Sequence, residues 1–250
     1  MRFFGLIGKS LEHSFSPIFF KEKFEEEGIT DCFYNLYPLK LIGEINQLVS
    51  DFSELSGLNV TIPYKQEVIP FLDELDDNAK VIGAVNTIKF EWINNKLKLK
   101  GYNTDYLGFI DSIKPHLKEH HKSALILGSG GSSLAIAYAL KKLNINYVKV
   151  SRNPRVDIIS YNSLSEEIIK EYKLIINTTP LGMYPNNNQF PELPYDAITK
   201  NHILYDLIYN PNQTEFLRKG KEKGATIKNG FEMLINQAEY SWKIWNNIAL

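Results

Sequence analysis

The sequence predicts an α/β protein built of two domains. Short apolar runs typical of strands alternate with amphipathic helical segments along the 250-residue chain. This alternation restarts after about residue 105, where an apolar run, a glycine loop and a helical segment follow one another. Because domains commonly hold about 100–200 residues, the length fits one domain or two. The restart favours two, with a boundary near Asp105.

The composition is that of an ordinary globular protein. Hydrophobic residues make up 44% of the chain and charged residues 23%. The formal net charge is -1, so no excess of positive charge indicates a polyanionic ligand. We therefore expect no nucleic-acid partner.

The cysteine content and the apolar runs bear on where the protein works. Cys32 is the only cysteine in the sequence, so no internal disulfide can form, which favours a reducing cytoplasm. The apolar run at residues 3–7 is followed by Lys9 and is too short for a signal-peptide core. No other stretch approaches the roughly 20 apolar residues of a membrane helix. We expect a cytoplasmic protein that enters no membrane.

The first half of the chain is predicted to alternate strands with a helix. Strands are predicted at residues 3–7, 58–62, 85–90 and 97–102. A helix should begin at Ser16 and Pro17, with the serine as N-cap, and end at Gly28. The last two strands form a hairpin that turns at Asn94 and Asn95, and its alternating lysines should cover a sheet edge.

The second half repeats this pattern and ends in a long helix. A linking helix is predicted at residues 105–115 and a second helix at residues 132–143. Strands are predicted at residues 124–127, 147–150, 174–177 and 203–206. The final helix, residues 231–245, should present an apolar stripe formed by Phe231, Leu234, Ile235, Ala238, Trp242 and Trp245.

A glycine loop between a strand and a helix predicts a dinucleotide site. Residues 127–133 have the sequence LGSGGSS, in which the glycines allow a tight turn and close approach of a pyrophosphate. The N-terminus of the following helix offers unpaired N–H groups to the same ligand. The third glycine of the usual G-x-G-x-x-G pattern is replaced by Ser133. A tight βα turn without a ligand is the alternative.

The end of the next strand favours NADP over NAD. An NAD enzyme usually has an acidic residue there, which binds the ribose hydroxyls. This chain has Arg152 and Arg155 instead, and guanidinium groups bind a 2′-phosphate well.

Polar clusters in the first half lie at or beyond predicted strand ends, where α/β proteins bind ligands. Ser14 and Ser16 stand at a helix start, which favours an anion such as a carboxylate. The other clusters, around residues 59–65, 83–87 and 101–105, supply a lysine, an asparagine and an aspartate. These clusters predict that the first half binds the substrate.

These motifs together resemble those of the shikimate dehydrogenase family along nearly the whole chain. The motifs of the first half are HSFSP at 13–17, NVTIPYK at 59–65, GAVNT at 83–87 and GYNTD at 101–105. Those of the second half are LGSGGSS at 127–133, NTTPLGM at 177–183, YDLIYNP at 205–211 and NGFEMLINQA at 229–238.

The resemblance implies a fold, a reaction and a cofactor. The implied domains are a substrate-binding α/β domain at residues 1–104 and a Rossmann-like, doubly wound NADP-binding domain at 105–230. The final helix, within 231–250, would pack back on the first domain. The implied reaction is NADPH-dependent reduction of 3-dehydroshikimate to shikimate in aromatic amino-acid biosynthesis. The family uses no metal, and the partner is a small-molecule substrate. A monomer and a homodimer both stay open.

The resemblance also implies residue roles. Ser14 and Ser16 would bind the substrate carboxylate, and Lys65 and Asp105 would be the catalytic pair. The ring hydroxyls would be bound by Thr61, Asn86, Tyr209 and Gln237. The cofactor phosphates would be bound by Gly128, Ser129, Gly130, Gly131, Ser132 and Ser133. The adenosine end would contact Ser151, Arg152 and Asn153, and the nicotinamide side Leu207 and Gly230.

The sequence departs from the family pattern at two positions. Ser10 stands where the family often has proline, which affects only a turn, and Leu134 stands where it often has a basic residue. The second change removes a candidate phosphate ligand and weakens the argument for NADP.

Reduction of a ketone by hydride transfer explains why the site needs a lysine and an aspartate. Hydride transfer to a ketone develops negative charge on oxygen, which a nearby ammonium can stabilise and protonate. A neighbouring carboxylate favours the charged ammonium and orients it. Which of Lys65 and Asp105 takes the proton in the oxidation direction stays open.

Other residues and other functions also fit parts of the sequence. His116, Glu119, His120 and His121 suggest a metal cluster, but we expect a solvated connector there. Asp206 ends a strand and either contacts ligand or caps a loop. The alternative functions are a quinate/shikimate dehydrogenase that tolerates NAD, a non-catalytic NADP sensor and a structural protein.

Overall fold

The computed structural model describes residues 1–94 and 96–250, and the described chain divides into compact units. The first unit is formed by Met1–Thr104 together with Gln237–Leu250, and the second by Asp105–Asn236. Each unit is built on its own sheet, so the α/β prediction is confirmed.

The first unit contains a mixed sheet with strand order β2-β1-β3-β5-β6-β4. Its strands are β1 Arg2–Gly8, β2 Cys32–Pro38, β3 Leu55–Val60, β4 Glu74–Leu75, β5 Thr87–Ile93 and β6 Lys96–Tyr102. Its helices are α1 Ser16–Glu26, α2 Ile45–Asp51 and α3 Asp77–Ile82.

Strand direction brings several loops of this unit to one edge of the sheet. β1 runs parallel to β2 and β3, whereas β5 runs antiparallel to both β3 and β6. Asn59 near the end of β3 is therefore opposite Thr87 at the start of β5, and Thr87 is opposite Tyr102 at the end of β6. The segments that follow β1, β3 and β6, and the one that precedes β5, consequently begin or end at the same edge.

The start of the first helix and the end of one strand differ from their predictions. Ser16 is the first residue of α1 and not its N-cap, because the preceding Phe15 already has helical backbone angles. The oxygen Oγ of Ser14 instead accepts the Ser16 N–H at 3.3 Å. The strand predicted at residues 58–62 ends at Val60, since a turn follows in which the Tyr64 N–H donates to the carbonyl of Thr61.

The β5–β6 hairpin forms as predicted, but its lysines do not cover an open edge throughout. The short strand β4 pairs with Lys100 and Gly101, and the Lys98 ammonium lies 2.7 Å from Asp73 Oδ1. The sequence did not predict that the lysines pair with Asp73 and Glu74, because these carboxylates are distant from the hairpin in sequence. Asn94 has a positive φ of 51°, as a turn asparagine often does. The predicted turn residue Asn95 lies outside the described residues.

The second unit contains a parallel sheet with strand order β12-β11-β10-β7-β8-β9. Its strands are β7 Ser123–Leu127, β8 Asn146–Val150, β9 Ile158–Ile159, β10 Leu174–Asn177, β11 Ile203–Asp206 and β12 Thr226–Lys228. Its helices are α4 Asp105–Ile113, α5 Gly131–Lys142, α6 Glu166–Glu171 and α7 Glu215–Glu222. Numbered within the unit, the order is that of the Rossmann fold, which confirms this prediction.

The last helix, α8 Phe231–Trp245, begins in the second unit and ends in the first. Trp245 stacks on Phe4, with ring centroids 4.6 Å apart, and its indole N–H donates to the carbonyl of Ile88 at 3.0 Å. Near the middle of the helix, Glu239 binds the buried ammonium of Lys23 on α1 at 2.8 Å. The prediction that this helix packs on the first domain is confirmed.

The apolar stripe of α8 differs in part from the predicted one. Phe231 is 42% exposed, and Leu234 and Ile235 are half-buried. The buried side chains of the helix are Met233, Ala238, Ser241, Trp242, Ile244 and Trp245. The three residues that differ from the prediction belong to the second unit, whereas Ala238, Trp242 and Trp245 belong to the first.

Within residues 1–94 and 96–250, no helix is both long enough and apolar enough to cross a bilayer.

The packing of α8 on the sheet predicts that a side chain at Gly57 on β3 destabilises the protein. A Cβ there would overlap the indole ring of Trp245, which already holds a hydrogen bond to Ile88. We predict that Gly57→Ala lowers the free energy of unfolding by about 1–3 kcal/mol, as overpacked cores do. Chemical denaturation measures this change. Gly43→Ala, at an exposed glycine with open space around its Cβ position, should change stability by less than about 0.5 kcal/mol. Equal effects of the two substitutions would contradict the role of the Gly57 contact.

Candidate active site

The segment between β1 and α1 presents Ser14 and Ser16. Ser14 is half-buried and Ser16 is buried at the N-terminus of an 11-residue helix. The first-turn N–H groups and the hydroxyls together suit an anion.

Thr61 and Lys65 lie in the turn that follows β3. The Thr61 N–H donates to the carbonyl of Ile7 at 2.9 Å, which continues the β1–β3 pairing by one residue. The Lys65 carbonyl accepts the N–H of Val85 at 2.7 Å. These backbone bonds fix both residues at the edge of the sheet where β5 begins.

Asn86 is buried at the same edge and its amide is fully oriented. Its Oδ1 accepts the N–H of Thr104 at 2.6 Å, and its Nδ2 donates to the Thr104 hydroxyl at 2.9 Å. The same Nδ2 donates to Oε1 of Gln237 at 3.1 Å. The structure thus brings together two predicted hydroxyl-binding residues that are 151 positions apart in the chain.

A buried polar cluster next to Asn86 was missed from the sequence. It consists of Asn59, Thr87, Thr104 and Ser241, all of them buried and hydrogen-bonded to one another. Two sequence features point to part of it. Ser241 follows Gln237 by four residues and so shares its helix face, and Asn59 lies between the apolar residues Leu58 and Val60.

The glycine loop of the second unit has the geometry of a phosphate cradle. Gly128 has a φ of 117°, and a Cβ there would lie 2.6 Å from the Thr178 hydroxyl. Gly130 is the N-cap of the 12-residue helix α5, and the position of its missing Cβ is surrounded by open space. Gly131 is the first residue of this helix and Ser132 the second. An anion can therefore approach the backbone N–H groups closely.

Ser133 has a different role from its neighbours in the loop. It is fully buried, and its hydroxyl donates to the carbonyl of Gly130 at 2.7 Å. A small residue is required there for packing of the helix, and the hydroxyl satisfies its own hydrogen-bonding need inside the turn.

The segment after β8 holds the predicted adenosine-binding residues. The hydroxyl oxygens of Ser129 and Ser151 are 3.4 Å apart, and the Ser151 oxygen accepts the N–H of Asn153. Asn153 and the two arginines, Arg152 and Arg155, are exposed. The structure therefore brings the end of the glycine loop together with the segment that carries the arginines.

Asp206 is the terminal residue of β11 and caps the loop that follows it. Its carboxylate is fully buried and accepts hydrogen bonds from the Thr214 hydroxyl at 2.6 Å, Asn177 Nδ2 at 3.0 Å and the Ile208 N–H at 3.1 Å. Burial raises the pKa of Asp206 to about 7, although these three donors oppose the shift. Of the two roles left open for Asp206, its contacts support loop capping.

The capped loop carries the predicted nicotinamide-side residues. The Leu207 N–H donates to the carbonyl of Asn177 at 3.0 Å, and the Gly230 N–H donates to Ile208. A Cβ at Gly230 would overlap the carbonyl of Leu207, so these two predicted residues are in direct contact. Tyr209 follows in the same loop and is half-buried.

The predicted catalytic pair is divided between the two units. Lys65 belongs to the first unit, whereas Asp105 is the first residue of the second and of α4. Asp105 is buried, and a carboxylate in the first turn of a helix is favoured by the helix dipole. It directly follows Thr104, whose N–H and hydroxyl bind Asn86.

The histidine cluster before β7 is not wholly solvated, so that prediction is wrong for one residue. His120 is exposed, but His121 is buried, and its Nδ1 accepts the N–H of Lys118 at 2.8 Å. Its Nε2 lies 3.2 Å from the carbonyl of Asn201. Burial lowers the pKa of His121, and its contacts with the backbone of Lys118 and Asn201 support a structural role. Across the part of the chain that the structure describes, no three histidine, cysteine or acidic side chains are arranged to hold a metal.

Comparison with known proteins identifies the family to which the chain belongs. The model for the shikimate dehydrogenase substrate binding domain matches residues 6–88. Shikimate dehydrogenase (NADP(+)) of Staphylococcus haemolyticus is 39% identical over 254 residues, which are 97% of this chain and 91% of that protein.

Solved structures agree over the full length. Shikimate dehydrogenase from Aquifex aeolicus has a TM-score of 0.87 and 36% identity, covering 100% of this chain and 94% of that one. Shikimate 5-dehydrogenase from Thermus thermophilus, solved in complex with NADP(H) and shikimate, has a TM-score of 0.86 and 28% identity, with 99% and 94% covered.

The fold and its loops define a class: an α/β protein with a mixed-sheet unit followed by a Rossmann-like unit. Within that class, the chain belongs to the shikimate dehydrogenase family.

The buried carboxyl of Asp206 predicts a pH dependence of stability. Its folded pKa of about 7 lies above the usual value of 3.8, so the folded state prefers the protonated form. This contribution is complete below about pH 4 and is lost as the pH rises through about 7. We predict that the free energy of unfolding of the wild type, relative to Asp206→Asn, falls between about pH 4.5 and about 7.5 and then levels off. Denaturant unfolding across this range measures the difference.

Asp196→Asn is the matched control. Asp196 is exposed beside Lys223, whose hydrogen bond lowers the pKa of this carboxyl, so its titration lies below the window. If the free energy of unfolding depended on pH in the same way for the wild type and Asp206→Asn, Asp206 would be ionised over the whole range measured.

Proposed function

We propose that the chain catalyses the reversible NADPH-dependent reduction of 3-dehydroshikimate to shikimate. The observation that supports this most strongly is family membership over nearly the whole length of the chain. The relative from Thermus thermophilus, solved with NADP(H) and shikimate, shares the fold of both units. The first unit would bind the substrate and the second the dinucleotide.

In the first unit, the residues at the shared sheet edge would bind the substrate. Ser14 and Ser16 would bind the carboxylate at the start of α1, where the helix dipole favours negative charge. Thr61, Asn86 and Gln237 would bind the ring hydroxyls, together with Tyr209 from the second unit. The oriented Asn86 amide supports this role, because fixed donors and acceptors discriminate between hydroxyl positions.

In the second unit, the glycine loop and its neighbours fit a nicotinamide dinucleotide. The open space at Gly130 and the N-terminus of α5 suit the pyrophosphate, and the exposed Arg152 suits a 2′-phosphate. Leu207 and Gly230 would lie beside the nicotinamide. When bound, this cofactor supplies or accepts the hydride.

Lys65 and Asp105 would handle the proton. In the direction of reduction, negative charge develops on the substrate oxygen, and the Lys65 ammonium would stabilise it and donate a proton. The Asp105 carboxylate would orient that ammonium and keep it charged. In the oxidation direction the proton returns to this pair.

We also propose that the protein works in the cytoplasm as a monomer or a homodimer. The single cysteine, Cys32, supports a reducing compartment, since the chain cannot form an internal disulfide. A non-catalytic NADP sensor would have no reason to keep both Lys65 and Asp105.

A steady-state assay tests the activity and the cofactor together. We predict that shikimate with NADP gives the highest kcat/KM among shikimate and quinate, each with NADP and NAD. The physical reason for the NADP preference is the charge-assisted contact that exposed Arg152 offers a 2′-phosphate. Arg152→Ala should therefore lower kcat/KM for NADP by about 10- to 100-fold and change that for NAD little.

Arg218→Ala is the control for this assay. Arg218 is an exposed arginine of the same unit that is already paired with Glu215, so its loss should leave the preference intact. Equal efficiency of the wild type with NADP and NAD would refute the cofactor assignment. Comparable turnover of quinate would favour the broader quinate/shikimate dehydrogenase. Binding of the cofactor without turnover of either substrate would favour a non-catalytic sensor.

The proton-transfer pair gives a separate prediction. Lys65→Ala should lower kcat by about 10²–10⁴-fold, as loss of a general acid does, while dinucleotide affinity stays nearly unchanged. Asp105→Asn should also slow the reaction, and the double variant should be far less than multiplicatively worse, because residues that act as a unit are not additive. Single-turnover rates and cofactor titrations measure both effects.

Lys80→Ala, at an exposed lysine beside Asp77, is the control and should keep full turnover. Near-normal turnover of Lys65→Ala would remove Lys65 from the mechanism. Strictly independent effects of the two substitutions would leave it as a binding residue only.

A further inference from the structure

The loops at the carboxyl ends of β7, β10 and β11 are neighbours in the second unit. The sheet order places β10 between β7, which leads into the glycine loop, and β11, which leads into the loop of Leu207. β8, which leads to Arg152, lies on the other side of β7. A dinucleotide with its pyrophosphate at the glycine loop and its 2′-phosphate at Arg152 would therefore extend its nicotinamide across the ends of β10 and β11.

The segment that follows β10 is held against the glycine loop. The N–H and the hydroxyl of Thr178 both donate to the carbonyl of Leu127, at 2.9 Å and 2.7 Å. The same hydroxyl lies against Gly128, since a Cβ on that glycine would be 2.6 Å from it. Thr178 therefore fixes this segment relative to the residues that would bind the pyrophosphate.

Asn177, which directly precedes Thr178, has an amide whose orientation is set by the backbone. Its Oδ1 accepts the N–H of Thr179 at 3.0 Å and the hydroxyl of the same residue at 2.7 Å. Because a backbone N–H can only donate, the amide oxygen must face Thr179. The amide Nδ2 then donates to Asp206 Oδ1 at 3.0 Å and to the carbonyl of Leu181 at 3.4 Å. Asn177 thus links the segment after β10 to the end of β11.

Asp206 connects this link to the loop that carries Leu207. Its Oδ1 also accepts the Ile208 N–H at 3.1 Å, and its Oδ2 accepts the hydroxyl of Thr214 at 2.6 Å. Thr214 is the N-cap of α7, where the loop ends. The carbonyl of Ile208 in turn accepts the N–H of Gly230 at 3.1 Å. The carboxylate therefore holds both the start and the end of the loop.

We propose that Asn177 and Asp206 are positioning residues that set the place of the nicotinamide ring relative to the cofactor phosphates. Both side chains have no exposed surface, and with Thr178 they connect the glycine loop to the loop of Leu207. Hydride transfer needs accurate placement of the reacting atoms, so a displaced ring slows the reaction even where the phosphates still bind. This inference rests on the proposed function, because it assumes that Leu207 and Gly230 lie beside the nicotinamide.

The variants follow from the donors and acceptors around the carboxylate. Asp206→Ala removes all three of its hydrogen bonds. Asp206→Asn can keep them, because the amide oxygen can still accept from Asn177 and Ile208. Its Nδ2 would face Thr214, whose hydroxyl can accept as well as donate. Thr214→Val removes one bond to the carboxylate, and Thr214→Ser keeps it.

Ser165→Ala is the matched control, since loss of the Thr214 hydroxyl also removes a helix cap. Ser165 is the N-cap of α6 in the same unit and is not part of the Asn177–Asp206 link. Its hydroxyl accepts the Ile168 N–H at 3.4 Å, the same length as the capping bond from the Leu217 N–H to Thr214.

The experiment measures the rate of hydride transfer and the affinity for the phosphate part of the cofactor separately. The first is the single-turnover rate with shikimate and NADP, and deuterium at the reacting carbon of shikimate verifies that this step is observed. The second is the Kd of 2′-phospho-ADP-ribose, which has the phosphates of NADP but no nicotinamide. A loss of overall stability alone would not separate the two quantities.

Asp206→Ala should slow hydride transfer by about tenfold or more, as misplacement of a reacting group does. Thr214→Val should slow it by about fivefold or more, as loss of one hydrogen bond does. The Kd of 2′-phospho-ADP-ribose should change by less than about twofold in both, because the glycine loop keeps its own contacts. Asp206→Asn, Thr214→Ser and Ser165→Ala should keep both quantities close to those of the wild type.

If Asp206→Ala does not fold, the comparison of Thr214→Val with Thr214→Ser decides. The inference would be overturned by unchanged hydride transfer in Thr214→Val, by an equal slowing in Ser165→Ala, or by an equal loss of affinity for 2′-phospho-ADP-ribose. A wild type that binds this probe but does not oxidise shikimate would instead overturn the proposed function, and this inference with it.

Discussion

The seating of Trp245 against Gly57 is the contact on which the first unit depends. The indole occupies the space of the missing Cβ and donates a hydrogen bond to Ile88, so α8 can lie on the sheet in one register. Ser241 and Gln237 precede Trp245 by four and eight residues and therefore lie on the same face. One aromatic contact thus helps to place the Ser241 hydroxyl beside Asn59 and the Gln237 amide beside Asn86.

The second unit depends on a different principle, the satisfaction of buried polar groups at strand ends. Each parallel strand ends in backbone groups that no further strand pairs, and Asn177 and Asp206 lie there with no exposed surface. Their side chains bind one another and the two loops that follow. Because an unpaired buried carboxylate is costly, the loops can adopt few other arrangements. This order suits a site that must place a nicotinamide ring accurately.

Sequence patterns predicted the structural elements that are determined by residues close together in the chain. β10, β11 and α8 begin and end at the predicted residues, because buried apolar runs and helical periodicity mark them clearly. The two-residue strands β4 and β9 were missed, since such short segments have no periodicity. In the site, motif residues such as Asn86 and Gly128 were predicted individually. The Asn59–Thr87–Ser241 cluster was not, because its members meet only after 182 residues of chain have folded back.

The division of α8 between the units has a consequence for the order in which the chain can fold during synthesis. The second unit is continuous, from Asp105 to Asn236, and its parallel sheet is complete in sequence before Trp245 has been made. The first unit, although its strands are translated earlier, leaves Phe4 and Gly57 uncovered until α8 has left the ribosome. The domain that begins the chain is therefore the last to be finished, and its nascent sheet must stay unaggregated while the other domain folds.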